Sequence, residues 1–396
     1  MPTAYIVSAL RTAGGRRNGR LSGWHPVDLA AQVLNAVVDR SGVDPARIDD
    51  VILGCVMQVG EQAVNVGRNA VLASKLPQAV PGTTIDRQCG SSQQALHFAA
   101  QAVMAGSMDL VIAGGVESMT RVPLGSSVAL ARQAGLGGYM SPAMKQRYGD
   151  IVFSQFDGAE MLAKNYRFDR AALDAYSLQS HRRAAAATQG GLFADEVLPL
   201  PVRLADGSAD GSGEGEHALD EGIRFDATPE SIGSVKLLRE GGVISAASAS
   251  QICDGASAVL VASERAVKSL GATPLARIHH LSVLGHDPVI MLEAPIPATA
   301  QALRRAGLRL DDIELFEVNE AFASVPLAWL KATGADPAKL NVHGGAIALG
   351  HPLGASGTKL TTTLLHALRR RRGRYGLQTM CEGGGMANVT IFEALH

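Results

Sequence analysis

Short apolar segments alternate with longer helical patterns along most of this chain. A typical helical pattern is Leu29–Gly42, in which apolar residues recur every three or four positions. Six apolar segments have the length and composition of β-strands: Ala4–Leu10, Asp49–Val56, Leu110–Gly115, Ser257–Ser263, Ile313–Val318 and Gly376–Cys381. This alternation predicts an α/β fold with mixed, mainly parallel sheets that are covered by helices.

A similar sequence pattern occurs twice in the chain. RIDDVILGCVM begins at Arg47 and RLDDIELFEVNE begins at Arg309, which is an offset of 262 residues. In both halves a turn, a long helical pattern and a short strand then follow in the same order. The offset pairs Cys89 with His351. We therefore predict two similar α/β halves that are related by a pseudo-two-fold axis.

The middle of the chain breaks this pattern. Residues 119–248 contain amphipathic pieces and the Gly-, Ser- and Asp-rich segment Ala205–Glu216, which we expect to be a mobile surface segment. The sequence thus predicts an N-terminal half formed by residues 1–118 and 249–267, an inserted loop domain at 119–248, and a C-terminal half at 268–396.

Composition and charge exclude several classes of protein. The 396 residues are 46% apolar and 18% charged, with a net charge of -1, so no global field favours nucleic acid or an anionic membrane. No apolar segment approaches the ~20 residues of a membrane span, and the first residues lack a signal-peptide pattern. The four cysteines form no CxxC pair and no HExxH is present, so we expect neither disulfides nor a metal site. These features predict a cytoplasmic protein.

Cys89 and His351 each follow a polar or Gly-rich turn and precede a helical pattern. A helix N-terminus carries partial positive charge, which favours a thiolate. The pseudo-two-fold axis would bring equivalent helix N-termini together, so Cys89 could face His351 as a nucleophile faces its base. The alternative is that Cys89 is a small buried hydrophobe, as many free cysteines are.

Two further positions could carry chemistry. Cys381 opens CEGGG, and three consecutive glycines allow backbone N–H groups to approach a ligand closely. Asn319 follows a predicted strand, where polar residues often form sites. The alternatives are a tight turn beside an unreactive cysteine and a helix N-cap by Asn319.

At these positions the chain resembles the thiolase family. Four separated motifs carry the resemblance: the nucleophile segment 86–91 (DRQCGS), NEAF at 319–322, GHPLGASG at 350–357 and CEGGG at 381–385. The resemblance covers nearly the whole chain. It implies duplicated α/β halves packed as αβαβα layers, and reversible, coenzyme A-dependent cleavage of 3-ketoacyl-CoA to acetyl-CoA and a shortened acyl-CoA, or the reverse Claisen condensation.

The resemblance also implies roles for the site residues. Cys89 would be acylated, His351 would take its proton, and Cys381 would be the second acid and base. One oxyanion hole would consist of His351 and a water held by Asn319, and the other of the backbone N–H groups of Cys89 and Gly383. No metal or permanently bound cofactor is implied, because coenzyme A is a substrate.

Contacts with coenzyme A or the acyl group are implied for four residues: Arg224 near the adenine, Ala246 and Ser250 near the pantetheine, and Phe156 near the acyl group or pantetheine channel. Acyl-CoA and coenzyme A are the expected partners, and the resemblance implies a homodimer or homotetramer.

The chain departs from the family pattern at several positions. Ser248, Gln251 and Cys253 replace residues of the usual pantetheine loop, and Phe156 stands in place of a His-Met pair found in short-chain biosynthetic members. These departures favour a longer or bulkier acyl group and a degradative role. Glu382 places a carboxyl beside Cys381, and if it pointed inward it would raise the pKa of the thiol.

Three other functions remain as alternatives. A decarboxylating condensing enzyme of the same fold would not need Cys381, a non-catalytic CoA- or lipid-binding homologue would not need to keep Cys89 and His351, and a papain-like hydrolase would not explain the repeat.

Overall fold

The computed structural model describes residues 2–205 and 215–396. The predicted mobile segment Ala205–Glu216 therefore lies, apart from its ends, outside the described residues. The strands are β1 Ala4–Thr12, β2 Gly15–Arg16, β3 Asp50–Gly54, β4 Gly82–Ile85, β5 Leu110–Ser118, β6 Val197–Leu198, β7 Leu200–Pro201, β8 Glu216–His217, β9 Cys253–Ser263, β10 Ala276–Gly285, β11 Leu315–Val318, β12 Tyr375–Glu382 and β13 Met386–Ala394. The helices are α1 Pro26–Ser41, α2 Val66–Ala73, α3 Ser91–Met104, α4 Ser126–Gln133, α5 Pro142–Tyr148, α6 Gln155–Asn165, α7 Arg170–Gln189, α8 Pro229–Gly233, α9 Glu264–Leu270, α10 Pro295–Ala306, α11 Ser324–Thr333, α12 Ala346–Leu349 and α13 Ser356–Arg371.

Hydrogen bonds link eleven strands into one mixed sheet in the order β11-β12-β13-β10-β1-β9-β5-β3-β4, with β2 on β9 and β6 on β1. All six predicted strands are present. The expectation of mainly parallel pairing is wrong, because seven of the eleven described strand pairs are antiparallel. The reason is that the last strand of each half, β9 or β13, runs back between two others, and a short glycine turn allows β12 to reverse directly into β13.

The two halves repeat each other element by element. β3 and β11, α3 and α13, and β5 and β12 each begin 265 residues apart. The offset of 262 read from Arg47 and Arg309 is smaller because Arg309 lies three residues farther from its strand than Arg47 does. With the structural offset, Cys89 is equivalent to Gly354, and His351 lies three residues earlier.

The halves pack as five layers. α3 and α13 lie side by side between the two halves of the sheet, α1 and α2 cover the outer face of the N-terminal half, and α10 and α11 cover that of the C-terminal half. One apolar core contains Leu96 of α3, Leu364 of α13, Val259 of β9 and Phe392 of β13. Burial of each such large side chain contributes about 1.5–3 kcal/mol. The predicted αβαβα architecture is confirmed.

The segment between β5 and β9 carries α4 to α8 and β6 to β8 and is fixed to the body of the protein by buried polar contacts. Arg11 of β1 forms ion pairs with Glu196 at 2.7 Å and Asp220 at 2.9 Å, and all three side chains are buried. Tyr176 and Ser180 of α7 donate hydrogen bonds to the carboxylate of Glu320 at 2.9 and 2.7 Å. Among the described residues, no helix is long and apolar enough to cross a bilayer.

Candidate active site

Cys89 lies at the end of a tight turn that leads into α3. Gln88 has a φ of 51°, a left-handed conformation that is uncommon for a residue with a side chain, and its N–H donates to the Asp86 carboxylate at 2.6 Å. Ser91 closes the turn by donating its hydroxyl to the Gln88 carbonyl at 2.6 Å and accepting the Arg87 N–H at 2.9 Å. The turn therefore holds the Cys89 thiol, which is partly exposed, at the positive end of the 14-residue helix α3.

His351 is buried and oriented through both ring nitrogens. Nδ1 lies 2.5 Å from Ser356 Oγ, and that hydroxyl donates to the Pro352 carbonyl at 2.9 Å. Since the Ser356 proton is used there, Nδ1 carries the imidazole hydrogen and Nε2 has a free lone pair, which faces the Asn319 amide at 3.4 Å. Burial, aided by the positive charge of Lys359, lowers the pKa of His351 to about 3, so the ring is neutral. In the described residues the ring forms no hydrogen bond with Cys89.

Cys381 is buried at the end of β12, and Cys89 is among the groups around it. Burial raises the pKa of Cys381 well above its ordinary value, and the negative charges available to Cys89 and Glu382 raise it further. The glycine turn after β12 touches the turn before α3, because a Cβ atom on Gly383 would lie 2.8 Å from Oε1 of Gln88. The structure thus brings the two predicted catalytic cysteines into one site.

The N-termini of α3 and α13 lie against each other, as the pseudo-two-fold axis predicted. Gly357 of α13 has no room for a side chain because the backbone nitrogen of Gln93 occupies that space. Cys89 packs in the same small apolar cluster as Leu353, which follows His351 by two residues. The nucleophile candidate and the histidine segment therefore come from opposite halves and meet at the helix ends.

Unused hydrogen-bonding groups mark two places where an oxyanion could be stabilised. The side-chain oxygen of Asn319 is buried without a partner among the described residues, and its amide lies beside His351. Within the same described residues, the backbone N–H groups of Cys89 and Gly383 donate to no other backbone group. Directed donors of this kind stabilise negative charge that develops on a carbonyl oxygen.

The loop predicted to hold the pantetheine runs along the NEAF segment. Ser250 donates its N–H to the Ala321 carbonyl at 2.9 Å, and Ala323 donates to the Ser248 carbonyl at 2.8 Å. These bonds fix Ser250 beside the end of β11. Ala246 is exposed at the start of a short 3-10 helix in the same loop, where its backbone is accessible.

Arg224 and Phe156 are both on the surface. Arg224 has an exposed side chain, while its backbone N–H donates to Nδ1 of His181 at 3.2 Å. Phe156 is 46% exposed at the start of α6, and its ring packs edge-to-face on Phe322 with 5.6 Å between centroids. Phe156 therefore borders the NEAF segment, and its contact with the acyl group or pantetheine stays a prediction.

Two residues that position His351 have no role assigned by the sequence. Ser356, which fixes the tautomer, stands inside GHPLGASG and could have been found from that motif. In the sequence, Gln251 is notable only as a departure from the family's pantetheine loop. In the structure its backbone carbonyl accepts the backbone N–H of His351 at 3.1 Å, and its side chain donates to the carbonyls of Gly222 and Ile347 at 2.8 and 2.7 Å. No sequence signal indicates this contact, because it depends on how the loop folds back.

Comparisons with known proteins agree with this geometry. Residues 4–265 match the family model of the thiolase N-terminal domain, and residues 272–394 match that of the thiolase C-terminal domain. The chain is 51% identical over 400 residues to the steroid 3-ketoacyl-CoA thiolase FadA6 of Mycobacterium tuberculosis, an alignment that covers 100% of this chain and 95% of the relative. It is 41% identical over 402 residues to a 3-ketoacyl-CoA thiolase of Yersinia pestis, with 100% of both chains covered. These relatives give no support to the decarboxylating or non-catalytic alternatives. The chain belongs to the thiolase family, whose members are acyltransferases.

Proposed function

We propose that this thiolase cleaves 3-ketoacyl-CoA substrates with bulky acyl groups through an acyl-Cys89 intermediate. The observation that carries the proposal is the contact between Gly383 and Gln88, which joins the turn after Cys381 to the turn before Cys89. A thiolytic cleavage needs a nucleophile and a separate acid, and two thiols in one site beside a neutral His351 meet that need.

The first half-reaction acylates Cys89. Nε2 of His351 takes the thiol proton, and the thiolate attacks the 3-keto carbon of the substrate. The C2–C3 bond then breaks, the electron pair passes to the acetyl-CoA enolate, and the thiol of Cys381 protonates that enolate at carbon. The neutral state and free Nε2 lone pair of His351 support its role as the base.

The second half-reaction releases the shortened product. Coenzyme A gives its thiol proton to the Cys381 thiolate, and the resulting CoA thiolate attacks the acyl group on Cys89. The bond to Cys89 breaks, the shortened acyl-CoA leaves, and His351 returns the proton to the sulfur. Both cysteines and the histidine thus regain their starting protonation, and no other reactant is needed.

Two separate oxygens become negative in this sequence, and two groups of donors support their stabilisation. The enolate oxygen of acetyl-CoA is assigned to protonated His351 and a water held by Asn319, whose side-chain oxygen lacks a partner among the described residues. The tetrahedral oxygen on the acylated carbon is assigned to the N–H groups of Cys89 and Gly383.

Substrate size is inferred from Phe156 and from the relatives. The printed name of the Mycobacterium relative specifies steroid 3-ketoacyl-CoA, and this chain aligns with it over its full length. The edge-to-face packing of Phe156 on Phe322 places an apolar wall beside the NEAF segment. A bulky, ring-containing acyl group in a degradative reaction is the substrate class that these observations favour.

Coenzyme A is assigned to the face that carries Arg224, Ala246 and Ser250. The exposed guanidinium of Arg224 can meet a phosphate or adenine, and Ser250 lies on the loop that borders Ala321. An assembly into a homodimer or homotetramer would cover large apolar side chains such as Val64 and Phe98, which are 86% and 41% exposed. Four unpaired cysteines support a cytoplasmic location.

The test is CoA-dependent cleavage of a series of 3-ketoacyl-CoA esters, from acetoacetyl-CoA to ring-containing acyl groups, followed by loss of the enolate absorbance. We expect the highest kcat/KM for bulky acyl groups and no turnover by Cys89→Ala. Cys253→Ala, which removes a different buried cysteine, is the matched control and should retain cleavage. Cleavage by Cys89→Ala at the wild-type rate, or no cleavage of any ester by the folded wild type, would contradict the proposal.

A further inference from the structure

Two buried glutamates occupy equivalent positions in the two halves. Glu117 is near the end of β5 and Glu382 is at the end of β12, and these strands begin 265 residues apart, as the two glutamates do. Each side chain has no solvent exposure. Each reaches across the pseudo-two-fold axis toward the segment that precedes the central helix of the other half.

Glu117 is fully hydrogen-bonded. Its carboxylate accepts the backbone N–H groups of Val56 at 2.9 Å, Met57 at 3.0 Å and Gly354 at 2.9 Å, and the side-chain amide of Gln62 at 2.8 Å. The bond from Gly354 ties the N-terminal half to the loop before α13, and the other three lie within the N-terminal half. Such a set of contacts is sufficient reason for a buried carboxylate, and Glu117 has a structural role.

Glu382 has the same burial but different surroundings. Neither of its oxygens has a hydrogen-bond partner among the described residues. Oε1 lies directly over the α-carbon of Gly90, so close that a Cβ atom at that position would overlap it, and the side-chain oxygen of Asn388 lies against the same carbon. Gly90 follows Cys89, so the carboxyl is placed beside the nucleophile. A buried, unpaired polar group of this kind requires a reason.

The charged and titratable groups that face this pair come from several elements: Asp86 and Arg87 in the turn before α3, Glu117 on β5 and Cys381 on β12. Burial raises the pKa of Glu382 to about 8, against the opposing effects of the Arg87 charge and of the nearby Asn388 backbone N–H. Burial also raises the pKa of Cys89 to about 12, and the charge of Glu382 is the largest electrostatic contribution in the same direction.

We propose that Glu382 is a positioning residue that acts through Cys89: it stays a neutral carboxylic acid while the thiolate forms, and its ionisation suppresses that thiolate. The inference rests on the proposed role of Cys89 as nucleophile. When the thiol passes its proton to His351, one negative charge appears beside a neutral Glu382. If Glu382 were ionised, the same step would place two negative charges together in a site with little water, which is strongly unfavourable.

The test is the rate at which iodoacetamide alkylates Cys89 in the intact protein between pH 6.5 and 9.5, measured on the Cys89 peptide by mass spectrometry. The variant is Glu382→Gln, and Glu393→Gln on β13 is the matched control. We expect equal rates for Glu382→Gln and wild type below pH 7. Around pH 8 the wild-type rate should rise less steeply than that of the variant, and by pH 9.5 the variant should react about tenfold faster, which corresponds to one pKa unit of the thiol.

Parallel pH profiles for Glu382→Gln and wild type would overturn the proposal, because a purely structural role would change the rate equally at every pH. If Glu382→Gln does not fold, Arg87→Gln gives an independent test. Loss of the Arg87 charge raises the pKa of Glu382, so the break in the Cys89 profile should move to higher pH, and an unmoved break would also overturn the proposal. Alkylation needs no acyl-CoA, so this result is separate from success or failure of the thiolysis assay.

Discussion

Glu117 and Glu382 have the same place in two copies of one fold, and only one of them has hydrogen-bond partners. The first accepts four hydrogen bonds and joins the halves, while the second has none among the described residues and lies beside Cys89. Burial and fold position are identical, so neither decides the role of the residue. The donors supplied by neighbouring segments decide it.

The difference arises in the chain that follows the equivalent strands β3 and β11. After β3 the chain turns, and the N–H groups of Val56 and Met57 point at Glu117. After β11 the equivalent segment is NEAF, and its carboxylate Glu320 is held by Tyr176 and Ser180 of the inserted segment. The segment equivalent to Val56 and Met57 thus packs against the insertion through Glu320, and none of the described hydrogen bonds from it reaches Glu382. One half of the repeat keeps the structural arrangement and the other is free for catalysis.

Removal of the proposed nucleophile, Cys89, should have the largest effect on activity. Cys89→Ala should lower kcat/KM for thiolysis by at least about a thousandfold, because it removes the group that carries the acyl chain and Cys381 is needed as the acid and base. The equivalent residue in the other half is Gly354, which has no side chain to replace it. Cys55→Ala, at the end of β3, is the matched control and should stay within a few-fold of wild type. Equal losses in both variants would indicate general damage rather than loss of the nucleophile.

Stability measurements should separate the two glutamates. Glu117→Gln replaces an acceptor of four hydrogen bonds with a group that can satisfy at most part of them, and it should lower the unfolding free energy by about 3 kcal/mol. Glu382→Gln removes an unpaired acid and should change it by less than about 1 kcal/mol at pH 5, where the ionisation of Glu382 contributes little to stability. Urea denaturation followed by circular dichroism measures both. Equal destabilisation would contradict the assigned difference.

The pH dependence of stability should also distinguish them, with a sign fixed by the pKa of Glu382. That pKa is raised from 4.5 to about 8 on folding, so between these values the folded chain keeps a proton that the unfolded chain has lost. The stabilisation from Glu382 is therefore complete below pH 4.5 and lost as pH rises to 8. Relative to wild type, Glu382→Gln should gain about 3.5 kcal/mol between pH 5 and pH 8. A constant difference across this range would place Glu382 in water instead.

The two halves also differ at the ends of the equivalent strands β11 and β3. Asn319 in the C-terminal half occupies the position that Gly54 occupies in the N-terminal half. Asn319→Ala removes the amide beside His351 and the support for a bound water, so kcat should fall about 30-fold with little change in KM. The check is steady-state kinetics with acetoacetyl-CoA and one bulky ester. A rise in KM alone would mean that Asn319 binds substrate instead of stabilising the enolate.

Much of this architecture could be predicted from the sequence. The periodicity of apolar residues predicts the strands and helices, and the repeated sequence pattern predicts the two similar halves. All six predicted strands exist, while the catalytic roles of Cys89, His351 and Cys381 stay predictions. The direction of pairing was missed because it depends on the return of β9 and β13, which no local pattern encodes. The orientation of Glu382 was undetermined for a similar reason: both faces of β12 are buried, so burial could not indicate which one its side chain occupies.

The smallest expected effect concerns the insertion itself, to which we propose that coenzyme A binds. Arg224 lies there with an exposed side chain, so its attraction for a phosphate is screened by water and salt. Arg224→Ala should raise KM for coenzyme A about threefold at low ionic strength, leave kcat unchanged, and lose its effect above about 0.5 M salt. Arg182→Ala, at a nearby charged position on α7, is the comparison variant. An effect on kcat, or one that persists at high salt, would contradict electrostatic attraction of the nucleotide as the role of the Arg224 side chain.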